Sequence, residues 1–182
     1  KVYNYYKTDG ADTLALNDPK YKLNYYGQSF DLFAFVFTRW FNVKIVYETR
    51  ERHSGITGAL AIITAGILVR FLVGNFAGLL TLIFIFFFPR FMGHAMNNPL
   101  DIPFALGYIF SIYQMIRFLV KLPEFSIKHA ILLILGIAFT TSIRIGGLIL
   151  IPYLFMFSGL CLLIERWSWK FLSQEYLRFA GR

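Results

Sequence analysis

Beyond residue 55 the chain is a series of hydrocarbon runs separated by short polar breaks. An apolar run from about Ile56 to Val73 ends at Gly74-Asn75, and a second from about Phe76 stops at Phe88-Pro89. A third covers about Ile102 to Val120 and gives way to Lys121-Leu122-Pro123-Glu124. From Ile127 to Ile164 the only charged or imidazole side chains are Lys128, His129 and Arg144. That stretch is about 38 residues long, against about 20 for one bilayer crossing, so Arg144 with Gly146-Gly147 marks a break between two helices. The pattern predicts five membrane helices joined by short connections. No repeat of fixed period is evident.

Residues 1–52 differ from the rest. They hold Asp9, Asp12, Asp18, Asp31 and eight of the 18 Lys and Arg residues, with turn signals at Asp9-Gly10 and Asn17-Asp18-Pro19. From Ser29 to Phe41, the aromatics Phe30, Phe33, Phe37 and Trp40-Phe41 recur near helical spacing, with Asp31, Thr38 and Arg39 mostly between them. This predicts an interfacial helix with its aromatic side toward lipid or the helix bundle. The tail from Glu165 to Arg182 reads as a basic amphipathic helix with Trp167 and Trp169 at the interface. The expected fold class is therefore all-α, a polytopic membrane helix bundle with interfacial helices in an outer loop. Residues 1–52 form that loop region, 53–164 the bundle and 165–182 a cytoplasmic tail.

Composition sharpens this reading. The chain is 57% hydrophobic, 19% aromatic and only 15% charged, with a mean hydropathy of +0.57. Soluble domains carry about 25% charged residues. The net charge of +8 raises nucleic acid as a partner, but the cations flank apolar runs and form no continuous stripe. Counting crossings puts Arg70, Arg117, Lys121, Lys128, Arg166, Lys170, Arg178 and Arg182 on one side, and only Arg90 and Arg144 in the opposite short loops. The positive-inside bias makes the first side cytoplasmic. A single cysteine, Cys161, excludes an internal disulfide and any cysteine-rich metal site. The chain starts without an initiator Met or a signal-peptide pattern, which predicts a start inside a longer protein.

The polar chemistry concentrates between Phe88 and Phe104, where Arg90, His94, Asn97, Asn98 and Asp101 lie between two apolar runs. Asp101 is the only carboxylate between Glu51 and Glu124. An acid at the rim of a membrane-length segment costs energy and points to a site. Each of these residues has two readings. Arg90 and Arg144 present forks suited to phosphate, or anchor helix ends. His94 donates, accepts or binds metal, or makes a structural hydrogen bond. Asn97 and Asn98 contact a ligand, or cap the helix that starts near Pro99. Asp101 is a base, or a favourable charge at a positive helix end. No His, Cys and Asp set has metal-ligand spacing and no set of ligands is complete, which leaves the cofactor unknown, with a divalent metal as one alternative. Phosphate-loop and serine-nucleophile motifs are absent from the sequence.

The order of the motifs adds a resemblance. Tyr25-Tyr26-Gly27-Gln28-Ser29-Phe30-Asp31 comes first, then Arg52-His53 leading into an apolar helix. Pro89-Arg90-Phe91-Met92-Gly93-His94, Asn98-Pro99-Leu100-Asp101-Ile102-Pro103-Phe104 and Ile143-Arg144-Ile145-Gly146-Gly147 follow. Over nearly its whole length this resembles the bacterial branch of the dolichyl-phosphate-mannose–protein mannosyltransferase-like family, glycosyltransferase family 39, related to the aminoarabinose transferases of lipid A. The resemblance implies a GT-C fold in the bacterial inner membrane. It also implies sugar transfer from a polyprenyl-phosphate donor to a lipid, glycan or protein acceptor on the periplasmic side. Asp101 matches an acid that family carries at the outer start of a later helix, and is the implied catalytic base. Arg90, His94, Asn97, Asn98, Arg144, Tyr25, Tyr26 and Asp31 are the implied substrate-binding residues. The family's first acidic pair is expected upstream of Lys1, with Asp9 and Asp12 as the alternatives within this sequence, and Leu100 stands where a lysine is frequent. The competing class is a non-catalytic membrane transporter or assembly subunit, which buried polar residues in mid-helix would favour.

Overall fold

The computed structural model describes residues 29–40, 46–121, 126–161 and 163, and nearly all of these are helical with no strand among them. Helix α1 (Ser29–Trp40) precedes α2 (Val46–Val73), α3 (Asn75–Phe86), α4 (Pro89–Asn97), α5 (Asp101–Val120) and α6 (Ile127–Ile143). A 3-10 turn, η1 (Ile145–Ile149), then leads into α7, residues 150–161. Tyr25, Tyr26 and the tail 165–182 lie outside the described residues, as does the side chain of Asp31.

The breaks have identifiable causes. At Gly74, φ is +122°, a backbone that an L side chain resists, and the chain reverses there from α2 into α3. Pro89 occupies the first turn of α4, where its missing N–H costs nothing. Arg144 is extended (φ −144°, ψ 138°) and ends α6, after which Gly147 lies so close to Thr140 and Thr141 that a Cβ would sit 2.7 Å from the Thr141 nitrogen. The predicted break inside residues 127–164 is therefore present.

Close approaches fix the helix directions. Gly66 meets Leu82 and Gly78, Gly78 meets Arg70, and Gly58 meets Ala95. Helices α3 and α4 thus retrace α2 together. Helix α5 returns parallel to α2, with Ile102 by Gly58 and Tyr113 by Phe71. Helix α6 runs antiparallel to α5, where Gly107 faces Thr140 and Gly136 faces Ser111. Tyr153, Leu154 and Cys161 of α7 close against Met115, Leu119 and Leu133. Small residues at these crossings let the backbones approach, the usual basis of helix association in lipid.

The packing is inverted relative to a soluble domain. On α2 the inward positions are Ser54, Thr57, Gly58, Ala61 and Ala65, while Ile56, Leu60, Ile63 and Ile67 face outward. Such a continuous apolar exterior is costly in water and suits hydrocarbon. Residues Glu51–Val73 and Asp101–Val120 are long and apolar enough to cross a membrane, and α3 with α4 makes a third candidate if counted as one broken span. These two to three candidate spans mark a membrane protein.

Several expectations change. Of the five expected crossings, the segment from Phe76 is a 12-residue helix of about 18 Å, too short alone for a core of about 30 Å. It bends by 66° into α4. Ile127–Ile143 and Ile145–Cys161 are also shorter than the two full-length spans. The polar stretch expected as a loop at 89–101 is helical through Asn97. Helix α2 begins at Val46, ten residues before its apolar run, because Glu and Arg are good helix formers. The interior is not free of polar groups either: Ser54, Thr57, Ser111, Gln114, His129 and Thr140 are buried. The helix predicted from Ser29 is present as α1 through Trp40, and Phe41 lies outside the described residues. Phe33 and Phe37 sit edge-on to His53 of α2, with centroids 5.8 and 4.6 Å away, and Trp40 is exposed.

Candidate functional site

One end of the bundle gathers the α4–α5 corner, the α6–η1 junction and the start of α1. Asn98 organises the corner. Its Oδ1 accepts hydrogen bonds from the backbone N–H of Leu100 (3.2 Å) and Asp101 (3.0 Å), so the side chain caps α5. Its Nδ2 donates to Asp101 Oδ2 at 2.6 Å and lies 3.3 Å from His94 Nδ1. The Asn98 backbone N–H donates back to the His94 carbonyl at 2.8 Å, closing α4. Asn98 therefore joins both helices and holds one oxygen of Asp101.

The other oxygen faces Arg144. Arg144 Nη2 is 2.7 Å from Asp101 Oδ1, a close ion pair whose alignment falls short of a hydrogen bond. The two side chains are 35% and 45% exposed. In water such a pair is worth about 0.2–1 kcal/mol, so its importance is positional rather than stabilising. Arg144 is brought there because α6 ends at Ile143, a residue with no exposed surface, and the chain extends before η1. Ser29 Oγ donates to the Ser142 carbonyl at 2.8 Å and fastens the start of α1 to the same junction.

Helix α4 separates the remaining residues by periodicity. Arg90, His94 and Asn98 follow each other at intervals of four and share a face, while Ala95 is buried against Gly58 of α2. Arg90 lies eight residues before Asn98, about 12 Å along the axis, and is exposed. Asn97 points elsewhere. It lines an open cleft of ≈ 590 Å³ with Glu51, Arg52, Gly55, Ile56 and Met96. Gly93, on the exposed side of α4, has nothing within 4 Å of a Cβ position, so packing does not require a glycine there.

Of the residues singled out from the sequence, Asp101, Arg144, Asn98 and His94 form one connected cluster. Arg90 and Asn97 flank it without touching Asp101. Asp31 falls in α1, but its side chain, like Tyr25 and Tyr26, is outside the description. Of the two readings of Asn98, the cap is the one seen: both ends of its amide are engaged within the protein. Glu51, Arg52 and Ser29 were missed. Glu51 lies ahead of the apolar run from which the sequence predicts the membrane helix, and it lines the Asn97 cleft. Nothing in the sequence signals the Ser29–Ser142 contact. Among the described residues, no group of three or more His, Cys, Asp or Glu side chains is placed to hold a metal ion.

No protein-family model, curated protein or solved structure matches the chain. The site therefore has to be interpreted from its own chemistry.

Proposed function

We propose that this chain belongs to a membrane glycosyltransferase that moves a sugar from a polyprenyl-phosphate donor to an acceptor at the outer rim of the bilayer. The observation that carries the proposal is the Asp101–Arg144 ion pair, a carboxylate and a guanidinium in contact at the end of an apolar bundle. A polyprenyl tail lies in hydrocarbon while its phosphate reaches this rim. That phosphate competes with Asp101 for Arg144, because Arg forms strong bidentate bonds to phosphate oxygens. Release of Arg144 frees Oδ1 while Asn98 keeps Oδ2 in place. Asp101 then takes the proton of the acceptor hydroxyl as that oxygen bonds to the sugar's anomeric carbon. The bond from that carbon to the phosphate oxygen breaks, and the leaving polyprenyl phosphate keeps the electron pair. Arg144 stabilises its charge, with Arg90 further along α4 as a second cation. The outer placement follows from the scarcity of cations in the short connections at this end. The resemblance to glycosyltransferase family 39 supports the same chemistry.

The test is turnover of a labelled polyprenyl-phosphate sugar by full-length protein in membranes. Asp101→Asn keeps shape but removes basicity, and should slow transfer by about 10²–10⁴-fold. Arg144→Ala should raise the donor concentration needed for half-maximal rate. Thr64→Ala, half-way along α2, is the control. Wild-type turnover by a normally folded Asp101→Asn protein would exclude the assignment.

A second reading, a non-catalytic transporter or assembly subunit, draws on one observation. Gln114 Oε1 and His129 Nδ1 are 2.9 Å apart and both residues are buried between α5 and α6. They satisfy each other, and Gln114 lies about 20 Å along α5 from Asp101. Ser111 and Thr140 hydroxyls donate to carbonyls of their own helices. The charged side chains in contact are at the rim rather than in mid-helix, so the enzyme reading is preferred.

A further inference from the structure

The opposite end of the bundle gathers four described cations, one of them the guanidinium of Arg117. Arg117 of α5 lies over the Phe71 ring of α2, 5.2 Å from its centroid, and 5.8 Å from the Tyr113 centroid. Its Nη1 donates to Tyr113 Oη at 3.3 Å. Stacking on rings uses the face of a guanidinium and leaves its edge for hydrogen bonding. Only one of its five N–H groups is engaged among the described residues. Lys121 caps the end of α5, and Lys128 lies in the first turn of α6 beside the buried His129. Arg70 stands in the last turn of α2. The two carboxylates whose side chains are described, Glu51 and Asp101, are at the other end. Glu124 and Glu165, the nearest acids to this end in the sequence, lie outside the described residues.

We infer that this end holds a phosphate group, supplied by an anionic phospholipid of the adjoining leaflet. Arg117 supplies a preoriented fork and Lys121 and Lys128 supply flexible charges. Four cations at a hydrocarbon rim, without described partners of opposite sign, are the complement of such headgroups. The site is separate from the Asp101 cluster and does not depend on the glycosyltransferase reading.

The test uses the full chain in nanodiscs of phosphatidylcholine with and without phosphatidylglycerol, followed by native mass spectrometry of retained lipid. Wild type should retain phosphatidylglycerol about tenfold over phosphatidylcholine, as expected from one charge-assisted bidentate contact. Arg117→Lys, which keeps the charge and loses the fork, should remove most of that preference. Lys121→Gln with Lys128→Gln, both exposed and safe for folding, should reduce it as well. Arg39→Gln, which removes a cation at the other end, should leave it unchanged. Inorganic phosphate added at constant ionic strength separates the sources: displacement of the lipid identifies a site for phosphate itself, and persistence identifies the anchored headgroup. Equal retention of the two lipids overturns the inference. So does a preference that survives both cation variants, or one that Arg39→Gln abolishes equally.

Discussion

Asn98→Ala is the perturbation that most directly separates the architecture of the site from its chemistry. The substitution removes the cap on the Leu100 and Asp101 amides, worth about 1 kcal/mol. It also removes the 2.6 Å bond to the Asp101 carboxylate. A bond to a charged group contributes about 1.5–3 kcal/mol when fully formed, but water screens a side chain that is 45% exposed, which leaves about 1 kcal/mol here. Together the loss is about 2 kcal/mol, or about 30-fold in the local opening equilibrium. Hydrogen exchange on protein in nanodiscs reads this directly. Amides at residues 100–102 should exchange about 30-fold faster, while those at 107–115, inside the α5–α6 packing, keep wild-type protection. Asn98→Asp makes the comparison sharper. It preserves the capping oxygen and adds a favourable charge at the helix start, but loses both Nδ2 contacts and sets a second carboxylate against Asp101. Its capped amides should stay protected while sugar transfer falls. Wild-type exchange in Asn98→Ala, or equal loss of protection in both variants, would refute the account of Asn98 as the residue that positions Asp101.

Two further outcomes follow from the packing. A Cβ at Gly136 would lie 2.6 Å from Ser111 Oγ, so Gly136→Ala should cost about 1 kcal/mol even after its gain in helix propensity. Ser111→Ala alone should be nearly neutral, because that hydroxyl only returns to the Gly107 carbonyl. The double variant should recover most of the loss in a denaturant or thermal unfolding cycle, and strict additivity would contradict the close α5–α6 crossing. For topology, single cysteines at Asn97 and Ser126, in a Cys161→Ser background, should be labelled from opposite sides of sealed vesicles. Labelling of both from one side would contradict the end-to-end placement of the two corners.

What was legible in the sequence was local or followed from parity. Gly74, Pro89 and Arg144 interrupt apolar runs; Gly74 and Pro89 break the helix through their own backbone, and Arg144 through the Gly146-Gly147 that follows it. Parity then brought Asp101 and Arg144 to one end, since two helices separate their junctions. That inference survives the shortness of α3, because α3 and α4 together retrace what one full span would cover. The polar stretch at 90–98 has a helical period although it is rich in turn-forming residues. Arg90, His94 and Asn98 recur every four residues, which is a helix face, yet Pro and Gly nearby suggested a loop. Pairings across helices left no local trace. Gln114 and His129 are separated by a connection, and neither sits in a motif that names the other. The charged run at Glu48–Arg52 is the opposite case, since polarity there ends only the apolar part of the helix and not the helix itself. Helix extent follows backbone propensity and capping, whereas burial in lipid follows hydropathy, and the two boundaries differ here by ten residues at α2. The carboxylate of Glu51 lies in that interval. A second acid near the rim was therefore hidden by equating the start of the helix with the start of its apolar segment.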